Sequence, residues 1–211
     1  MSKTTMGRRT RFKIQRRLNV ELPGLGKAGA LEKRNYGPGQ HGQKMRRKVS
    51  EYGIRLREKQ KVLFHYGIRE AQLRKWVKEA KKISHEREWV DMLASLLERR
   101  LDNIVFRLGF APSIAAAKQL VSHKHVFVNG EKVDIASFIL NTGDRVSLTK
   151  TGYNSASFLQ ARSTPRLDMP DYLGKVIEQG NPVGLLNSEP GIDNVPFEFE
   201  KRYFIEHYGR L

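Results

Sequence analysis

A chain of 211 residues has room for one domain or two small ones, and its zero cysteines exclude disulfides and any thiolate-held zinc. The formal net charge of +17 is lopsided: residues 1–61 hold 18 Lys/Arg against 4 Asp/Glu, while residues 151–211 hold 6 against 8. Charge gathered at one end is the footprint of a polyanion partner; with no long apolar run and no lipidation signal, that partner is nucleic acid and not a membrane surface.

Met1 to Arg9 carries no apolar stretch of the kind that opens a secretory signal. Residues 1–50 are rich in Gly, Lys and Arg with few periodic apolar positions, which predicts an extended basic arm with one or two short turns. Gly24-Leu25-Gly26-Lys27-Ala28-Gly29 has the spacing of a dinucleotide-binding loop. Pro23 stands where the preceding strand would end, however, and Lys27 is followed by Ala28, not Ser or Thr, so neither a dinucleotide nor a Walker loop fits. The expectation there is a flexible linker.

Pro38-Gly39-Gln40-His41-Gly42 reads as a rigid bend, because proline fixes its φ and the glycines permit positive φ. Arg46, Arg47 and Lys48 follow, then Arg55, Arg57, Lys59 and Lys61, with only Glu51 and Glu58 to compensate. Tyr36, His41 and Tyr52 are interleaved with these cations and can stack on bases or sugars. Glycine N–H groups at the bend can meet phosphate oxygens. Bend and cationic run together are the leading candidate RNA contact.

Ser50 caps a predicted helix that runs to Tyr66 and stops at Gly67, with Tyr52, Leu56, Leu63 and Tyr66 on its buried side. A second helix, Glu70 to Lys82, places Leu73, Trp76, Val77 and Ala80 on one stripe. After a charged hinge at Ser84 to Glu88, a single helix is predicted over 89–108. Its stripe is Val90, Leu93, Ala94, Leu97, Leu101, Ile104, Val105 and Leu108. Arg100, Asn103 and Arg107 fall beside that stripe and Arg99 a little further round, with Glu98 and Asp102 on the opposite flank. The expectation is a positive edge suited to phosphate.

Pro112-Ser113 opens a short helix from Ile114 to His123, and Lys118, Ser122, His123 and Lys124 gather at its end as a rest for an RNA backbone. His123 and His125, with no Cys and no carboxylate pair nearby, make a poor metal site. Val126 to Val128, Asn129-Gly130 and Glu131 to Val133 form a hairpin with a two-residue turn. A third strand runs from Arg145 to Thr149, and a short helix from Asn154 to Arg162. Pro165, Pro170, Pro182, Pro190 and Pro196 then break the tail into short turns and strands.

The stretch LERRLDNIVFRLGFAPSIAAAKQLVSHKHVFVNGEKVDI, from Leu97 to Ile135, is similar to the RNA-binding module of the S-four family of small-subunit ribosomal proteins. YGPGQHGQKMRRKVSEYGIRLREKQK, from Tyr36 to Lys61, followed by Phe64-His65-Tyr66-Gly67-Ile68, resembles the part of that family outside the module. The resemblance implies an α+β fold, mainly α. Residues 1–50 would be a basic arm and 51–96 a helical domain completed by residues from about 165 to 211. The inserted module, 97–160, would be helix-helix-hairpin with a small, mostly antiparallel sheet.

It also implies a structural protein with no cofactor and no enzyme activity, and the zero cysteines place the chain with the zinc-free variants of that family. Such a protein binds small-subunit ribosomal RNA, nucleates assembly of the subunit body and contributes to translational accuracy. Its partners would be that RNA, neighbouring small-subunit proteins and the messenger near its entry path, in the cytoplasm or a plastid stroma. No side chains are arranged to read a duplex sequence, so folded RNA shape would be read through backbone and 2′-OH groups. The tail, net −2 over 151–211, should serve a protein partner, although 183–194 departs from the family pattern. Two alternatives share the module. An RNA-modifying enzyme would use Asp102 of Arg100-Leu101-Asp102 but needs a catalytic domain that the sequence does not offer. A free-standing RNA-binding stress factor would not need the Tyr36–Lys61 half.

Overall fold

The computed structural model describes residues 10–26, 28–43, 49–84 and 88–209. Arg46, Arg47 and Lys48 lie outside the described residues. In chain order the helices α1 (Arg11–Leu18), α2 (Ala30–Lys33), α3 (Glu51–His65), α4 (Glu70–Ile83), α5 (Trp89–Glu98), α6 (Leu101–Arg107) and α7 (Ile114–Ser122) precede the first strands. Strands β1 (Val126–Val128), β2 (Glu131–Lys132) and β3 (Arg145–Leu148) follow, then α8 (Lys150–Tyr153) and α9 (Ala156–Ser163). The chain ends with β4 (Leu173–Glu178), β5 (Asn181–Leu186) and α10 (Lys201–Tyr208). This is the α+β, mainly helical architecture expected.

Local sequence explains most boundaries. The Ser50 hydroxyl accepts the Gly53 N–H at 3.2 Å and starts α3, and Gly67, at φ +60°, takes the left-handed turn that ends it. Ser113 and Ser155 cap α7 and α9 in the same way. Leu73, Val77 and Ala80 of α4 are wholly buried, as their spacing requires. On α3 the buried side differs from expectation. Glu58, Lys61, Val62 and His65 face inward, while Tyr52 is 63% exposed. The reason is tertiary: α10 packs on α3, and its approach selects the face that is covered.

The predicted 89–108 helix is two helices. Arg100 is extended, at φ −64° and ψ 138°, and forms a lone antiparallel bridge with Ile139. The N–H groups of Leu101 and Asp102 donate to the carbonyls of Phe138 and Ala136, and the Leu140 N–H donates to Arg99 O. A passing loop thus satisfies donors that a helix start leaves open, so a break costs little. The apolar stripe is nevertheless buried along its whole length.

The sheet order is β2-β1-β3-β5-β4, antiparallel throughout. Asn129 and Gly130, at φ 51° and 84°, make the tight turn between β1 and β2. Val146 of β3 sits opposite Gly184 of β5, so residues 173–186 extend the module's sheet. The tail therefore divides: its first part joins the module's sheet, and the segment after β5 packs on α3 and α5.

The described part of the arm is not extended, and the glycine-rich stretch is not a loose linker. Leu18, Val20 and Leu22 pack with Phe64 and Phe197. A Cβ on Gly24 would lie 2.5 Å from the His65 carbonyl oxygen, and one on Gly26 would lie 2.5 Å from Ser113 Cβ. The glycines are there so that backbone can wedge between the end of α3 and the start of α7.

Candidate nucleic-acid interface

The bend is held from behind by α1. Arg16 donates from Nε to Tyr36 O at 2.9 Å and from Nη2 to Gly37 O at 3.1 Å, and its guanidinium lies 4.9 Å from the Tyr36 ring centre. The Gly42 N–H donates to Gly39 O at 3.2 Å, and any Cβ on Gly42 would overlap Gly37 O. Gly39, Gln40 and His41 are left exposed at its tip. Arg16 carries no motif signal, and sequence reasoning missed it as the anchor.

The cationic run beyond the bend is mostly occupied within the protein. Arg55 bridges Glu51 at 3.0 Å and Glu206 at 2.8 Å, and Lys59 pairs with Glu70 at 3.1 Å. Lys61 is buried, 2.7 Å from Glu58, and donates to Glu198 O at 3.0 Å. Lys61 as an RNA contact is thus corrected: it fastens the tail to α3. Arg57 is exposed and makes no ion pair among the described residues.

The positive edge expected of Arg100, Asn103 and Arg107 is also corrected, because all three are buried. The break at Arg100 turns them inward. Arg100 grips Asp102 through two bonds of 3.1 and 2.7 Å, which gives Asp102 a structural role. Asn103 Nδ2 donates to Glu98 Oε2 at 2.8 Å and to Glu98 O at 3.1 Å. Arg107 Nη2 donates to Asn194 O at 2.9 Å, while its Nε stands 3.6 Å from Glu98 Oε2. Arg99 is half-buried, with Nη1 donating to Glu189 at 2.8 Å. Lys118 Nζ donates to the carbonyls of Tyr66 and Gly67 at 2.9 and 2.8 Å, closing the C-terminal end of α3. Ser122, His123 and Lys124 stay exposed, Lys124 with a 3.7 Å approach to Asp134.

Glu98 is the hub that sequence reasoning missed. Its carboxylate accepts from Tyr66 Oη at 2.5 Å and Tyr172 Oη at 2.7 Å besides Asn103. Burial first, and then the carboxylate, pushes both tyrosine hydroxyls well above their ordinary pKa. Arg107 is burdened by burial, yet Glu98 overrides this and holds its pKa above the ordinary value. Beside it, burial and then the Arg107 charge lower His65 to about 3, and its Nδ1 accepts the Gly24 N–H at 3.3 Å. The only sequence signal was a carboxylate next to the apolar stripe. Among the described residues no cluster of His, Cys, Asp or Glu could hold a metal ion, and no helix is long and apolar enough to cross a membrane.

Residues 7–98 match the ribosomal protein S4/S9 N-terminal domain, and residues 99–146 match the S4 domain. The small ribosomal subunit protein uS4B of Bdellovibrio bacteriovorus is 52% identical over 203 residues, which are 96% of this chain and 97% of that protein. The chain belongs to the uS4 family. The small ribosomal subunit protein uS4 of Methylobacillus flagellatus is 41% identical over 94% of this chain and 95% of its own length. The uS4B protein of Nitrosomonas europaea stands at 41% over the same shares. The S-four resemblance read from the sequence is therefore borne out. The two family segments meet between Glu98 and Arg99, at the helix break and its carboxylate hub.

Proposed function

We propose that this protein is a structural, non-catalytic component of the small ribosomal subunit that binds small-subunit ribosomal RNA directly. The observation that carries this is a 52% identity to a small-subunit protein that extends over almost the whole of both chains. Nucleation of the subunit body and a contribution to translational accuracy belong to the same reading. RNA contact is assigned to the bend (Tyr36, Gly39, Gln40, His41 and Gly42), to Arg46, Arg47 and Lys48, to Arg57 and the part-exposed Arg55, Lys59 and Arg99, and to Ser122, His123 and Lys124. Tyr52 fits a surface position beside them. The exposed bend tip and the exposed end of α7 support this assignment, since both present donor groups to solvent.

Neighbouring small-subunit proteins, and the messenger near its entry path, are the further partners. The site of action is the ribosome, in a cytoplasm or a plastid stroma. Sedimentation of the protein with small subunits through a high-salt wash tests the reading. Recovery only in the soluble pool overturns it.

A further inference from the structure

Antiparallel register places Leu173, Lys175 and Ile177 of β4 opposite Leu186, Gly184 and Pro182 of β5, all on one face. The core covers that face only part-way. Leu108 presses so closely on Gly184 that a Cβ there would meet its Cδ1 at 2.1 Å. Past this point the face is open and walls a groove of about 400 Å³, whose other side is α9 and the segment leading to Met169. Ile177 is 77% exposed and Met169 43%. Because β4 is the edge of the sheet, alternate backbone N–H and C=O groups along it face away from β5.

The rim chemistry selects the occupant. Lys175 and Arg162 line the groove and make no ion pair among the described residues. Burial pushes the Lys175 ammonium below its ordinary pKa, so an incoming carboxylate restores what solvent no longer supplies. A nucleobase fits poorly. The rings of Phe110 and Phe158 are 1% and 4% exposed and offer no face for stacking, so the open lining is aliphatic. Asp168 also lines the groove, so its charge suits a single carboxylate set beside Lys175 and Arg162 and not a run of phosphates.

We propose that β4 is a docking strand for an extended segment of another small-subunit protein. That segment pairs along β4, seats an aliphatic side chain against Ile177 and Met169, and sets a carboxylate against Lys175 and Arg162. The inference rests on the proposed ribosomal function, so its test is made within assembled subunits.

The probe is p-benzoyl-phenylalanine placed at position 177 of the full chain, produced in cells and irradiated in small subunits purified by sedimentation. Incorporation into those subunits tests the function itself; the cross-linked product tests the docking strand. The expected product joins position 177 to a protein segment carrying Asp or Glu within two residues of the joined site. Reversing the rim charge with Arg162→Glu and Lys175→Glu should lower that yield about tenfold while incorporation is unchanged. Arg162→Glu alone, at an exposed position, should lower it less and serves if the double variant fails to fold. A cross-link to ribosomal RNA, no cross-link in subunits that contain the protein, or a yield indifferent to the rim charge each overturns the proposal.

Discussion

Replacing Glu98 by Leu should destabilise the protein more than loss of a single hydrogen bond. The carboxylate accepts three side-chain bonds, from Tyr66, Tyr172 and Asn103, and faces the Arg107 guanidinium at 3.6 Å. None of these groups has water to turn to, because Tyr66, Asn103, Arg107 and Tyr172 are all buried. Removing one partner of a buried charge pair costs about 3–5 kcal/mol, and the stranded hydroxyls place this site toward the upper half of that range. For a chain of this size that corresponds to a fall in Tm of roughly 8–20 °C. Tyr172→Phe, which removes one donor and leaves the carboxylate paired, should cost only about 1–2 kcal/mol. Thermal unfolding followed by circular dichroism separates the two. The double variant Glu98→Leu with Arg107→Leu should recover part of the loss, since no charge is then left unpaired in the core. If Glu98→Leu unfolds within about 1 kcal/mol of the parent, the hub does not hold the two family segments together.

Binding to small-subunit ribosomal RNA should fall on the order of a hundredfold between low and moderate salt, because several phosphates are neutralised at once; a flat filter-binding response would remove the basic excess from the interface. Replacing Arg46, Arg47 and Lys48 together by Ala should weaken that binding more than replacing the exposed Lys75, Lys78 and Lys82 of α4, and equal losses would mean diffuse attraction. Phe204→Ala should cost about 3–5 kcal/mol in denaturant unfolding, since this ring is wholly buried between α10 and the helical core. Stability should also fall with acid through His65. Its folded pKa, about 3, lies below the ordinary 6.5, so the unfolded chain binds the extra proton and stability drains as pH drops from 6.5 toward 3. The loss is on the order of 4 kcal/mol across that window, and chemical denaturation of His65→Gln should lack that component.

Much of this molecule was legible in short-range chemistry. Ser50, Ser113, Gly67 and Asn129-Gly130 announce a cap or a turn within three or four residues, and the structure obeys them. The stripe from Val90 to Leu108 identified the core correctly even though the helix carrying it breaks. What could not be read depended on distant chain. The break at Arg100 exists because residues 136–140 supply acceptors for the α6 N–H groups, and that loop lies more than thirty positions downstream. The same distance hid the site corrections. Lys61 and Arg107 look like surface cations until Glu198 and Asn194 arrive to receive them, and Lys118 until the end of α3 is beside it. A helical wheel cannot distinguish a guanidinium offered to phosphate from one that fastens the tail. Residues at chain turns that no distant segment covers, Gly39 to His41 and Ser122 to Lys124, kept the exposure expected of them.

The seating of α10 on α3 also fixes an order of events during synthesis. Phe204 and Tyr208 complete a core whose other members, Val62, Tyr66, Leu73 and Val77, are translated well over a hundred residues earlier. Contacts so far apart in sequence form only after a large loop has closed. While the nascent chain is still emerging, the helices of the amino-terminal half hold their apolar sides open to solvent, and the cations among them have no Glu198 or Glu206 to meet. The helical half is therefore finished only once residues 201–208 have emerged, not as its own helices emerge. A chain cut short near its carboxyl end would be left sticky and unusually basic, a natural target for chaperones and proteases.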